Sequence, residues 1–173
     1  VLDRDSIEAA ASAALARTGG RLDAVVANAG VAVVGVFEAT SPEAMRDVMD
    51  ANYFGLIDTL RVTLPALLAP RDGSVIFSGE TVLVGAPGLS GYTASKFAVE
   101  GFSESLAHEV EPFGVSLSLI EPGAFRTGIW DNGVIERRDA GPYSALGEMV
   151  EVAGRRAGER ARPPEGGATA VGR

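Results

Sequence analysis

The chain has 173 residues, 46% hydrophobic and 22% charged, which suits one globular domain with a sizeable core rather than two. A net charge of −8 argues against nucleic acid or an anionic membrane as partner, since clustered Lys and Arg hold both, and gives the surface a solubilising role. With no cysteine and His108 as the single histidine, disulfides and thiolate or zinc centres are not expected, and neither a bilayer-spanning run nor a leader is present, which points to the cytoplasm.

Asp5 or Ser6 opens a helical pattern in which Ile7, Ala10, Ala11, Ala14 and Leu15 recur on one face, closed by Gly19-Gly20. Val25-Val26-Ala27 reads as a short apolar strand, and Asn28-Ala29-Gly30 as the turn that leaves it. Ser41-Pro42 is a strong helix start, a capping hydroxyl followed by proline at the first helical position. That helix runs through Met45, Met49, Phe54, Ile57 and Leu60 to about Leu68, where Arg71-Asp72-Gly73 breaks the pattern. Ser74 to Ser78 is the second strand, and glycines 79, 85, 88 and 91 belong to the loop behind it. A further helix carries Tyr92 and Lys96 to about Glu111, stopped by Pro112 and Gly114, and Val115 to Ile120 is the third strand.

Strands alternating with helices predict an α/β fold: a parallel sheet of residues 24–27, 74–78 and 115–120. The strands are almost continuously apolar, as when helices cover both sheet faces. Chemistry in such folds gathers at the carboxyl ends of the strands, where Asn28, Ser78 and Glu121-Pro122-Gly123 sit. From Gly154 onward the apolar period is lost and helix breakers abound, so residues 154–173 are expected to be a disordered tail beyond a 1–153 domain.

Tyr92 and Lys96, in Gly91-Tyr92-Thr93-Ala94-Ser95-Lys96, are the most informative pair. Four residues apart on a helix, they share a face. A phenol ionises near pH ~10, and a fixed cation beside it stabilises the phenolate, tuning it for proton transfer to a carbonyl or alcohol oxygen. Alone, the spacing is common on surfaces. Here Asn28-Ala29-Gly30 follows an apolar strand, Asn52 lies forty residues before Tyr92, and Pro122-Gly123 thirty residues after it.

Together with Pro87-Gly88-Leu89-Ser90-Gly91-Tyr92, this ordered set resembles the short-chain dehydrogenase/reductase family, from Val1 to about Trp130. The resemblance implies a Rossmann-like doubly wound parallel sheet, an NAD or NADP cofactor and an alcohol or ketone substrate. It makes Tyr92 the general acid/base and Lys96 its partner on the nicotinamide ribose. Asn52 would hold a water through its backbone, and Asn28, Ala29, Gly30, Pro122, Gly123 and Thr127 would approach the cofactor. Phe125, Ile129, Trp130 and Tyr143 would form an apolar lid or plug the core. Helices 42–68 and 91–111 would pack across a homodimer.

Three departures from the family accompany the match. Its catalytic serine, usually thirteen residues before the tyrosine, falls on Gly79, which leaves Ser78 or Thr81 as substitutes. A neighbouring residue on a strand points to the opposite face, so Ser78 serves only if a bulge turns it. No Gly-x-x-x-Gly-x-Gly turn stands in the chain, and Val1-Leu2-Asp3 resembles the stretch just after the family's third strand. Arg160 to Glu165 resembles the approach to a late helix and final strand, yet Gly- and Ala-rich residues follow. The sheet is therefore expected to be truncated at both ends and the chain to bind NAD or NADP weakly or not at all, since the pyrophosphate gains most from that turn. Two readings stay open: a reductase core, and a catalytically impaired fragment acting as an interaction module. An epimerase or dehydratase of the extended branch shares Tyr-x-x-x-Lys, but Asn28-Ala29-Gly30 and Asn52 fit the simple reductases better.

Overall fold

The computed structural model describes residues 1–69, 71–78, 85–120, 134–135 and 141–161. The first helix, α1 (Arg4–Thr18), begins slightly earlier than the apolar pattern suggests, because the Asp3 carboxylate caps it by accepting the Ser6 N–H. It is closed by Gly19 and packs along α3 (Gly55–Leu68).

Three strands form the main sheet: β1 (Ala24–Ala27), β3 (Ser74–Ser78) and β4 (Ser116–Ile120), in the order β1-β3-β4 and parallel throughout. The register sets Val25 opposite Val75 and Val75 opposite Leu117, and the parallel order is the one the alternation of strands and helices predicts. A second, two-stranded parallel sheet joins β2 (Val33–Val34) to β5 (Val134–Ile135). Two-residue strands carry too little pattern to be read from sequence.

The core lies between one face of the main sheet and the helices α3 and α4 (Ser90–Val110). Val75 and Phe77 of the central strand are fully enclosed by Leu56, Leu60, Leu67, Val99, Leu106 and Val110, with Val25, Ala27, Leu117 and Leu119 packed alongside. Phe102 meets Phe77 and stands edge-on to Tyr53, the geometry aromatic rings prefer. On the opposite face Val26 is 61% exposed, and Ser74 and Ser116 share a 2.9 Å hydrogen bond. The expectation of helices on both faces therefore holds on one face among the described residues. Ser116-Leu117-Ser118-Leu119 shows the reason, a period-two alternation that marks a one-sided strand.

At the amino ends of the strands, Arg21 bridges Asp23 at 2.8 Å and Asp72 at 3.2 Å, and the Asp23 hydrogen bond holds its guanidinium above the ordinary value. After α4 a 3-10 turn, Glu111–Phe113, ends on Gly114 at φ 75°. A side chain there would be strained by that angle, and its Cβ would sit 2.2 Å from the Arg71 carbonyl oxygen, so only glycine lets the chain turn into β4.

One expectation is corrected. Residues 154–160, read as the start of a disordered tail, complete helix α5 (Ser144–Arg160); residues 162–173 lie outside the described set. Leu146, Val150 and Gly154 recur every four residues, and that spacing docks the helix: Val150 is buried with Val34, Val36 and Ala39, with Leu146 packed beside them. A Cβ on Gly154 would lie 3.9 Å from Val34. The apolar stripe ends at a glycine, which hid it among the helix breakers. Tertiary packing outweighs the low propensity of the segment.

Candidate active site

Ser41 caps α2 (Pro42–Met49) by accepting the Ala44 N–H at 3.1 Å, with Pro42 at the first helical position. The helix then widens into a π turn, Asp50–Phe54, before continuing as α3. Such single-turn insertions are frequent at functional sites. This one carries Asn52, only 3% exposed. Its Oδ1 accepts the Val31 N–H at 2.8 Å, while Nδ2 donates to the Val31 carbonyl at 3.0 Å and to Ser95 Oγ at 2.9 Å. A buried carboxamide needs those partners, and here they clamp the long helix to the segment that leaves β1.

Gly30 lies under that clamp. A Cβ on it would stand 3.2 Å from Asn52 Oδ1 and 3.8 Å from Lys96 Nζ, so the chain passes close beside both side chains. Asn52, Lys96 and Gly30 thus meet, although they are far apart in sequence. Asn28 and Ala29, just before them, are exposed at the carboxyl end of β1.

Tyr92 and Lys96 occupy successive turns of α4, and the Lys96 ammonium sits 5.5 Å from the centroid of the Tyr92 ring, within cation–π range. The ring is 3% exposed and packs with Ala32, Val33, Ala44 and Val48. Apolar walls lower the local dielectric, which disfavours a bare phenolate and strengthens the effect of a charge placed beside the ring. Ser95, fully buried, donates its hydroxyl proton to the Tyr92 carbonyl at 2.7 Å.

Ser78 is the last residue of β3, opposite Ile120. Gly79, Thr81, Pro122, Gly123, Phe125, Thr127, Ile129 and Trp130 lie outside the described residues. Tyr143, expected in an apolar lid, is 47% exposed. It lines a pocket of about 280 Å³ with Val36, Phe37, Glu38, Ala86, Pro87, Gly88, Ser90 and Leu146. The pocket abuts the first turn of α4, and a 2.9 Å bond from the Gly35 N–H to the Gly88 carbonyl ties two of its walls together.

Sequence reading missed Ser95, Val31 and the wall at Val36–Glu38. A signal for Ser95 existed: a serine three residues after Tyr92 on a helix face that buries Tyr92 and Val99 must bond to something inside. Val31 acts through its backbone and the wall through loop packing, neither of which leaves a residue-type signature.

A parallel sheet that brings a Tyr-x-x-x-Lys helix against the loop leaving its first strand is the architecture of the short-chain dehydrogenases. The chain belongs to that family: the short chain dehydrogenase profile matches residues 1–137. It is 40% identical over 114 residues to the 3-ketodihydrosphingosine reductase of Bacteroides thetaiotaomicron, covering 65% of this chain and 42% of that protein. It is 42% identical over 115 residues to human 17-beta-hydroxysteroid dehydrogenase type 1, covering 66% of this chain and 35% of that protein. The chain thus spans about two fifths or less of the length of these curated relatives.

Among solved structures, a short-chain dehydrogenase from Streptomyces avermitilis superposes with a TM-score of 0.82 at 34% identity, covering 98% of this chain and 61% of its own. A Burkholderia phymatum family member in complex with NAD gives a TM-score of 0.79 at 26% identity, covering 92% and 59%. A metagenomic short-chain oxidoreductase in complex with NADP gives 0.66 at 27%, covering 89% and 64%. NAD or NADP is therefore the family's cofactor. Among the described residues no helix is long and apolar enough to cross a membrane.

Proposed function

We propose that this chain carries the acid–base machinery of an NAD(P)-dependent oxidoreductase that interconverts an alcohol and a ketone on an apolar small molecule. The observation that carries the reading is the Lys96 ammonium 5.5 Å from the buried Tyr92 ring, beside Gly30 and Asn52. The pocket beside the first turn of α4, lined by Val36, Phe37, Ala86, Pro87 and Leu146 with Glu38 and Ser90 but not by Tyr92, Lys96 or Asn52, is read as the place of an apolar substrate body. The names of the relatives, a ketodihydrosphingosine reductase and a hydroxysteroid dehydrogenase, support an apolar substrate. Because those relatives are oxidoreductases, the reading as a non-enzymatic interaction module is not favoured.

The residues fit the nicotinamide-ribose half of the cofactor. Lys96 and Tyr92 offer hydrogen-bonding groups beside a backbone that Gly30 leaves bare, and Asn28 and Ala29 lead into it. Pro122, Gly123 and Thr127 join them by family resemblance. When bound, the cofactor supplies or takes the hydride at the substrate carbon. In the reductive direction Tyr92 gives its phenolic proton to the carbonyl oxygen, and in the oxidative direction its phenolate takes the proton of the alcohol. Lys96 stabilises the phenolate. Ser78, next to Gly79 where the family has its serine, is proposed to give the hydrogen bond to the reacting oxygen, which requires the chain at the end of β3 to turn its hydroxyl off the strand alternation.

The test has two arms. Protein expressed from the whole reading frame is expected to oxidise NADH or NADPH in the presence of a steroid or long-chain ketone, with little turnover of a small hydrophilic ketone. Absence of turnover across such a ketone series overturns the reading. The 173-residue chain alone is expected to bind reduced cofactor weakly, because it contains no Gly-x-x-x-Gly-x-Gly turn. Calorimetric dissociation constants in the low micromolar range, about −8 kcal/mol, would show that this turn is not needed.

We further propose a homodimer through the helical segments 42–68 and 91–111. Phe54 and Phe97 stand 51% and 48% exposed on them, apolar surface that a partner would cover. Sedimentation velocity is expected to give twice the chain mass of 17.8 kDa, reduced to a monomer by Phe97→Glu; a monomeric wild type removes the proposal.

A further inference from the structure

Ser95 stands between Tyr92 and Lys96 and has no accessible surface. Its hydroxyl has a single proton, given to the Tyr92 carbonyl at 2.7 Å. Towards Asn52, at 2.9 Å, it can therefore only accept. The Val31 N–H and carbonyl already require Asn52 Oδ1 on the N–H and Nδ2 on the carbonyl, and Ser95 adds a third bond that only this orientation satisfies. In the flipped orientation the Asn52 oxygen would face the lone pairs of Ser95, and its NH₂ would face the Val31 N–H, an acceptor against an acceptor and a donor against a donor. One connected set of hydrogen bonds thus runs from α4 through the π turn to the loop beside Gly30.

We propose that Ser95 is a positioning residue for the acid–base pair. Its hydroxyl locks the Asn52 carboxamide and fixes the turn carrying Tyr92 and Lys96 against the loop leaving β1. The inference rests on Tyr92 as the acid–base group. In an α-helix the Tyr92 carbonyl also closes onto the amide of Lys96, so Ser95 braces the very turn that separates the two side chains. The ring is faced by Ala32 and Val33 from the loop and by Ala44 and Val48 from α2. Among the described residues, Glu43, Arg46 and Asp47 of α2 and Asp50 of the π turn are solvent-exposed, and Lys96 is a charged group over the ring.

The experiment follows the ring-carbon resonances of the three tyrosines by nuclear magnetic resonance across pH, in protein from the whole reading frame. In Ser95→Ala the titration midpoint of Tyr92 is expected to rise by about 1 pH unit, as the ammonium loses its fixed place. Turnover is expected to fall about tenfold with substrate KM little changed. A variant that loses thermal stability while the Tyr92 midpoint stays put would show that Ser95 is a packing residue only, and the proposal fails. If Ser95→Ala does not fold, Ser95→Cys, with a weak donor of nearly the same shape, is expected to give a smaller rise of the same sign, and no rise overturns the proposal.

The wild type provides a check that needs no variant. The Asn52 side-chain amide protons are expected to exchange with solvent at least about tenfold more slowly than those of exposed Asn28, and equal rates would dismiss the network. Failure of the acid–base reading is separable from failure of this inference. Full turnover in Tyr92→Phe would sink the former, whereas an unmoved Tyr92 midpoint sinks only the latter.

Discussion

Tyr92→Phe is expected to lower kcat by about 10³-fold while leaving cofactor affinity within about threefold. The substitution removes one oxygen and keeps the ring, which is where the residue packs: against Ala32, Val33, Ala44 and Val48. The fold should therefore survive, and the loss should fall on the chemical step. In the proposed mechanism the lost hydroxyl is the group that exchanges the proton with the substrate oxygen, and water would have to do so at far lower efficiency. The pH dependence of the wild type carries the matching sign. In the proposed mechanism Lys96 favours the phenolate. Alcohol oxidation, which would use the phenolate, is expected to rise as Tyr92 ionises, whereas ketone reduction, which would use the phenol, is expected to fall. Both limbs should vanish in Tyr92→Phe. Measuring kcat in each direction against pH decides it, and a variant with full activity would remove Tyr92 from its role.

The fold was legible where a short stretch of sequence has one physical outcome. Apolar runs at 24–27, 74–78 and 116–120, each bounded by turn residues, had to be strands, and the helices between them forced a parallel order. Ser41-Pro42 and Gly114 marked element ends through capping and backbone conformation, which act locally. The face on which the helices lie was also written in the chain, in the alternating serines of β4, but the apolar strand average masked it. The end of α5 was not legible, because residues 154–160 are helical by continuation of a face anchored at Leu146 and Val150 rather than by their own preference. The candidate site divides the same way. Spacing puts Tyr92 and Lys96 on one helix face, while the roles proposed for them and for Asn52 come from the resemblance to the family. The partner that fixes Asn52, the backbone of Val31, carries no side-chain signal at all.

Asn52→Leu is expected to destabilise the fold by about 4 kcal/mol, since each buried polar group left unpaired costs about 1–3 kcal/mol. Leucine keeps the branched shape of asparagine but is larger, so no cavity forms and the loss comes from hydrogen bonding, with some crowding added. Three groups lose their partner together: the N–H and carbonyl of Val31, and the acceptor side of Ser95. The Val31 pair is partly buried and recovers something from water; Ser95, with no accessible surface, recovers nothing. Against a total stability of about 5–15 kcal/mol for a domain, a loss of this size should lower the melting temperature by roughly 10–15 °C. Urea denaturation checks the magnitude. Amide exchange checks the cause, because the Val31 proton should lose protection even under conditions where the central-strand amides of Val75 and Phe77 keep theirs. The π turn supplies the reason the effect should be local first. A widened helical turn has poorer hydrogen bonding of its own and persists because Asn52 reaches out of it to Val31 and Ser95. Once those contacts are gone, the helix has cause to revert to regular winding, which rotates everything beyond Phe54 relative to α2. A loss below about 1 kcal/mol would mean that the clamp is incidental and that packing alone holds the π turn.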